Sequence, residues 1–148
     1  MRDDFTIIFR SHPKLLSSVR ALIINYLKDE KFPKEKIDDI VLGLDEACTN
    51  SIRHAYHGTR TGMMQLTVRL GTVWLEFELN NYGDSPPKDF LIRKEIEFKK
   101  MNKQAPIKPH GLGLIIIKRV FEEVYFNVDS DGRNSLILRT RRKGFRKG

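Results

Sequence analysis

The chain has 148 residues, 40% of them hydrophobic, which suits one domain able to bury a core without disulfide or metal staples. A single cysteine, Cys48, excludes an internal disulfide, and the longest aliphatic run, Leu114 to Ile117, falls far short of the ~20 apolar residues that cross a bilayer. The formal charge of +8 is concentrated at one end, because residues 139 to 148 hold six basic and no acidic side chains; a nearly neutral body without interleaved aromatics speaks against nucleic acid as the partner. No apolar stretch follows Met1 to Phe5, so a reduced, cytoplasmic setting and no membrane contact are expected.

Phe5 to Phe9 reads as a short strand. Ser11 and Pro13 then suit a helix start, since both tolerate a first turn with unpaired amides. Leu15, Val19, Leu22 and Tyr26 recur at helical spacing, with Leu16, Ile23 and Leu27 beside them. Pro33 opens a second helix whose apolar stripe, Ile37, Ile40, Val41, Leu44, Cys48, Ile52 and Ala55, runs toward Gly58. Met64, Leu66, Val68 and Leu70 alternate with polar residues, and after Gly71-Thr72 the alternation resumes at Val73, Leu75, Phe77 and Leu79, which predicts a hairpin with one apolar face. Residues 88 to 110 are lysine-rich with little period. A loop of that length inside a compact domain usually serves a ligand site. Gly111-Leu112-Gly113 starts a third helix through Leu114, Ile117, Val120 and Phe121, and a second hairpin follows, Val124 to Val128 and Ser135 to Arg139, around Asp131-Gly132.

Strands and helices are thus grouped and the paired strands are hairpins, which predicts an α+β, two-layer sandwich with a mixed, mostly antiparallel sheet and helices on one face. The domain is expected to span residues 1–140, with 141–148 as a basic tail.

Glu46, Asn50 and His54 are four residues apart and share a helix face opposite the apolar stripe. Such a row is ordinarily solvated. Its chemical reading is that Asn50 offers an amide oxygen to a hard cation and Glu46 a carboxylate able to accept a proton. Gly111-Leu112-Gly113 opens a helix, where backbone amides and the helix dipole hold phosphate oxygens. His54, His57 and Cys48 fall short of the three or four convergent ligands zinc requires, and no Gly-x-Ser-x-Gly elbow marks a hydrolase.

In order and separation these segments resemble a known family. Residues 46 to 56, Glu-Ala-Cys-Thr-Asn-Ser-Ile-Arg-His-Ala-Tyr, are similar to the N-box of Bergerat-fold (gyrase and histidine-kinase) ATPases as found in anti-sigma-factor serine kinases. Asn81-Tyr82-Gly83 stands in the place of the adenine-binding Asp-x-Gly, and Gly111-Leu112-Gly113-Leu114 resembles the second glycine box. The resemblance implies ATP and Mg²⁺ as cofactors. It makes Glu46 the base acting on a partner's serine or threonine hydroxyl, Asn50 the Mg²⁺ ligand, and Gly111 and Gly113 the phosphate cradle, with His110 and Leu112 counted among the nucleotide-binding positions. It places Asn81, Gly83 and Ser135 near the adenine, residues 88 to 110 as a lid over ATP, and Arg20 near a partner-binding surface. The implied partners are a STAS-type antagonist and a sigma factor or analogous regulator, and a homodimer is left open.

The chain departs from the pattern at Asn81, where the family has aspartate, at the position after Gly83, where a second glycine is common, and at His110, where glycine or arginine is common. These departures leave a second reading open, a module of the same fold that binds its partners without transferring phosphate.

Overall fold

The computed structural model describes residues 2–86 and 112–142, and for 112–114 the backbone alone. Strand β1 (Arg2–Arg10) leads into helices α1 (Pro13–Asp29) and α2 (Lys34–His54), hairpin β2 (Met63–Leu70) and β3 (Trp74–Asn81), helix α3 (Leu112–Val120), and hairpin β4 (Glu123–Val128) and β5 (Asn134–Arg141). The strands lie in the order β1-β2-β3-β5-β4, and each described pairing is antiparallel. The α+β sandwich expected from the sequence is present, with α1, α2 and α3 on one face of the sheet. Among the described residues no helix is long and apolar enough to cross a membrane.

Strand alternation decides that face. Directly opposed residues of antiparallel strands share a side, so the register places Phe9, Met64, Asn81 and Asn134 in one row and Ile7, Leu66, Leu79 and Leu136 in the next, both toward the helices. Met64, Leu66, Val68, Leu75, Phe77, Leu79 and Leu138 are buried there against Ile23, Leu27, Ile40 and Leu44. The other face carries charge: Arg69 reaches Asp3, Glu76 and Glu78, and Arg139 reaches Glu76 and Glu123. Burial works against the charge on Arg69, yet its bonds to Glu76, Glu78 and Asp3 outweigh that and hold its pKa above the ordinary guanidinium value.

Three local expectations are corrected. Ser11 is not the cap of α1; it is wholly buried, its N–H donates to the Gly62 carbonyl at 2.8 Å and its hydroxyl takes the Gly62 N–H at 2.9 Å, tying the end of β1 to the approach of β2. The cap is His12, whose Nδ1 accepts from the Lys14 N–H at 3.0 Å. Val73, counted with the apolar face, is exposed, because the strand begins one residue later at Trp74. The sheet also continues past residue 140: β5 includes Arg141, and Arg142 donates its N–H to the Val73 carbonyl and pairs with Glu30. Arg141 and Arg142 are anchored to the domain and do not belong to a free tail.

Cys48 lies on the inner face of α2, 2% exposed. Burial, with a smaller contribution from Asp45, pushes its thiol up to about 12. A raised pKa means the reactive thiolate is scarce at pH 8, and the packing blocks reagent as well. Iodoacetamide should therefore label the native chain at pH 8 at least a hundredfold more slowly than the urea-unfolded chain. Equal rates would show that this part of α2 is open to solvent.

Candidate functional site

A cavity of about 130 Å³ opens between the C-terminal half of α2 and the adjoining ends of β3 and β5. That is several times the room one ordered water needs, and it suits an organic ring. Ala47, Asn50, Ser51, His54 and Ala55 form the α2 side; Leu79, Asn81, Leu136 and Asn134 form the floor; Ile117 and Phe126 close one flank and Asp84 to Pro86 the rim. The lining is apolar with a few converging polar groups, the usual make-up of a small-molecule site.

Packing places α2 over this cavity. Helix α3 approaches it so closely that a Cβ on Gly43 would lie 2.7 Å from the Phe121 ring. The row Glu46, Asn50 and His54 is therefore not a wholly solvated face. Asn50 is half-buried on the cavity wall, and the exposed His54 also lines it. Glu46 is half-buried one turn earlier, about 6 Å along the axis, and does not line the cavity.

The β3 end of the wall is an amide network. Asn81 Oδ1 accepts the Gly83 N–H at 3.0 Å and the Asn134 side-chain amide at 2.8 Å. The same Asn134 nitrogen donates to the Gly83 carbonyl at 3.0 Å, while Asn134 Oδ1 takes the Ser85 hydroxyl proton at 2.6 Å. Gly83 is required by space: a Cβ there would fall 2.3 Å from the Ala55 carbonyl oxygen at the end of α2, and the next residue, Asp84, donates its N–H to that same oxygen at 2.9 Å. Beyond it, the Asp84 carboxylate meets His57 Nε2 at 2.6 Å in an exposed pair at the rim.

Asn50, Asn81 and Gly83 are thus brought together. Ser135 is not: it pairs in register with Asn80 and donates to the Asn80 side chain at 2.8 Å on the opposite face of the sheet. Its neighbour Asn134 occupies the cavity side, and the period-two alternation with the inward Leu136 and Leu138 was the signal for it. Arg20 pairs with Asp45 at 2.8 Å across α1 and α2, away from this cavity. Segment 88–110, His110 within it, and Gly111 lie outside the described residues; Leu112 and Gly113 form the first residues of α3.

The chain belongs to the histidine kinase-like ATPase domain family, whose profile matches residues 9–140. Membership implies the use of ATP. Over 131 residues the chain is 28% identical to the serine-protein kinase RsbW of Listeria innocua serovar 6a, covering 87% of this chain and 82% of that protein. It is 27% identical over 129 residues to the serine-protein kinase RsbW of Bacillus licheniformis, covering 80% of this chain and 74% of that one. Among solved structures, a chain of the SiaB-SiaC complex from Pseudomonas aeruginosa superposes with a TM-score of 0.67 over 95% of this chain and 91% of that chain, at 19% identity. That likeness is one of fold.

Proposed function

We propose that the chain is an ATP-dependent protein serine kinase of the anti-sigma-factor type, phosphorylating a STAS-type antagonist and binding a sigma factor or analogous regulator in a partner-switching circuit. The observation that carries the reading is the convergence of Asn50 and Asn81, from separate elements, on one cavity. The similarity to serine-protein kinases over most of both chains supports the choice of substrate.

Each residue then has a distinct task. The wall of Asn81, Asn134 and Leu79 receives the base, and the α2 side faces the phosphates. Asn50 offers a neutral oxygen, which suits Mg²⁺, a hard cation that takes few protein ligands and completes its shell with phosphate oxygens and water. When bound, that cation would neutralise charge on the phosphates. Glu46, a turn away and off the cavity wall, is proposed as the base that accepts the proton of a serine hydroxyl presented from outside. Transfer of a phosphoryl group depends mainly on positioning and charge neutralisation, so this sparse set is chemically sufficient. Residues 88–110 as a lid and Gly111 and Gly113 as a phosphate cradle complete the proposal. Arg20, partly exposed beside Asp45, is proposed for the partner surface.

Incubation of the chain with Mg-ATP and a STAS-domain antagonist, followed by mass spectrometry of the antagonist, tests this. A phosphoserine is expected. A tight complex with no phosphate transferred would replace the kinase with the binding module.

A further inference from the structure

The turn that leaves β3 is held at the end of α2 by a side chain that does not line the cavity. Three successive N–H groups have fixed partners there. That of Tyr82 donates to the Tyr56 hydroxyl at 3.0 Å, that of Gly83 to Asn81 Oδ1 at 3.0 Å, and that of Asp84 to the Ala55 carbonyl at 2.9 Å. The first belongs to the peptide directly after Asn81, so it fixes how the chain departs from the cavity wall and where Gly83 returns to the Asn81 side chain. The Tyr56 hydroxyl has one role on each side, because its proton goes to the Met63 carbonyl at 2.5 Å and a carbonyl only accepts. Met63 and Tyr82 are the next opposed pair beyond Met64 and Asn81, and the hydroxyl joins them where β3 ends. The ring is seated as well: a Cβ on Gly62 would lie 2.6 to 2.7 Å from three of its carbons, and Gly62 is bonded through both its N–H and its carbonyl to the buried Ser11.

We propose that Tyr56 is a positioning residue for nucleotide binding, acting through Asn81 and Gly83 and touching no ligand itself. The proposal rests on the cavity being a nucleotide site. Asn81 belongs to the wall and Tyr56 does not; the Tyr56 hydroxyl holds the peptide between wall and turn in the arrangement that brings the Gly83 N–H to Asn81. Both bonds of the hydroxyl lie on the exposed side of the turn. In Tyr56→Phe water therefore satisfies the Met63 carbonyl and the Tyr82 N–H, and the ring keeps its seat on Gly62, so little stability is lost. What water does not supply is a fixed distance from α2. The turn then samples several arrangements, the ligand binds only the fraction with the wall in place, and apparent affinity falls by that fraction. By linkage, a bond that favours binding is itself favoured by the bound ligand.

Mg-ATP titration of the full chain and of Tyr56→Phe, with urea denaturation and residue-resolved hydrogen exchange of both, tests this. Tyr56→Phe is expected to bind Mg-ATP about tenfold more weakly, to unfold at the wild-type urea concentration, and to exchange its Tyr82 and Gly83 amides faster while the paired amides of β2 and β3 keep their protection. Wild-type affinity in Tyr56→Phe would overturn the role. So would weaker binding with faster exchange throughout β2 and β3, because that is a loss of the sheet and not of the turn. A second arm needs no variant to fold: saturating Mg-ATP should slow exchange of the Tyr82 amide in the wild type. A Tyr82 amide left unaltered while residues 47–55 gain protection would overturn the proposal and leave the nucleotide site standing. A wild type that binds no Mg-ATP would instead overturn the nucleotide-site reading, and this role with it.

Discussion

Gly83→Ala is expected to destabilise the chain by about 2–4 kcal/mol and to weaken nucleotide binding with it. The added Cβ would sit 2.3 Å from the Ala55 carbonyl oxygen and 2.6 Å from its carbon. Neither is the movable tip of a side chain; both are backbone at the end of α2, so helix and loop must part. Parting them breaks the Asp84 N–H bond to Ala55 and pulls Gly83 from Asn81 and Asn134, leaving buried amides short of partners. Gly132→Ala is the control. Gly132 has φ of 81° and nothing within 4 Å of where a Cβ would lie, so its cost is the conformational penalty alone, about 1 kcal/mol. Urea denaturation of the two variants measures the difference. A loss at Gly83 no larger than at Gly132 would mean that the loop relaxes freely and is not a fixed wall.

Much of this arrangement is legible in the sequence because it follows from periodicity. The inward row Leu75, Phe77 and Leu79 carries Asn81 to the helix side by simple alternation, and the α2 stripe leaves Asn50 at its margin. What escapes depends on pairing between distant segments. Analogy puts Ser135 near the base, whereas the β3–β5 register sets Asn134 opposite Asn81 and turns Ser135 to the far face. Ser11 looks like a cap because its residue type suits one, but its bonds go to Gly62, 51 residues away, which no local pattern announces. The burial of Asn50 also comes from outside its own helix, from the sheet end that meets α2 at the cavity.

Asn50→Ala and Glu46→Gln should fail in different ways, although the two residues share one helix row. Asn50→Ala removes an oxygen from the cavity wall where the phosphates and their cation are proposed to lie, so Mg-dependent ATP binding and phosphotransfer should fall together. Glu46→Gln keeps size and shape, and Glu46 does not line the cavity. Nucleotide binding should therefore survive while transfer to the antagonist falls by on the order of a hundredfold or more, the usual contribution of a positioned base. Side chains on a merely solvated face would tolerate both changes within about 0.5 kcal/mol of stability and without effect on either assay. Titration calorimetry with Mg-ATP and single-turnover phosphorylation, run on the same preparations, separate these cases. Transfer by Glu46→Gln at the wild-type rate would remove Glu46 from the role of base.

Whether the cavity walled by Asn50, Asn81 and Asn134 holds the nucleotide is tested most directly by hydrogen exchange of the full chain with and without saturating Mg-ATP, because amides at a bound ligand exchange more slowly. Added protection is predicted in residues 47–55, 79–86 and 134–136, with β1 unchanged. Protection confined to β1 or the charged face of the sheet, with those three segments unaltered, would contradict it.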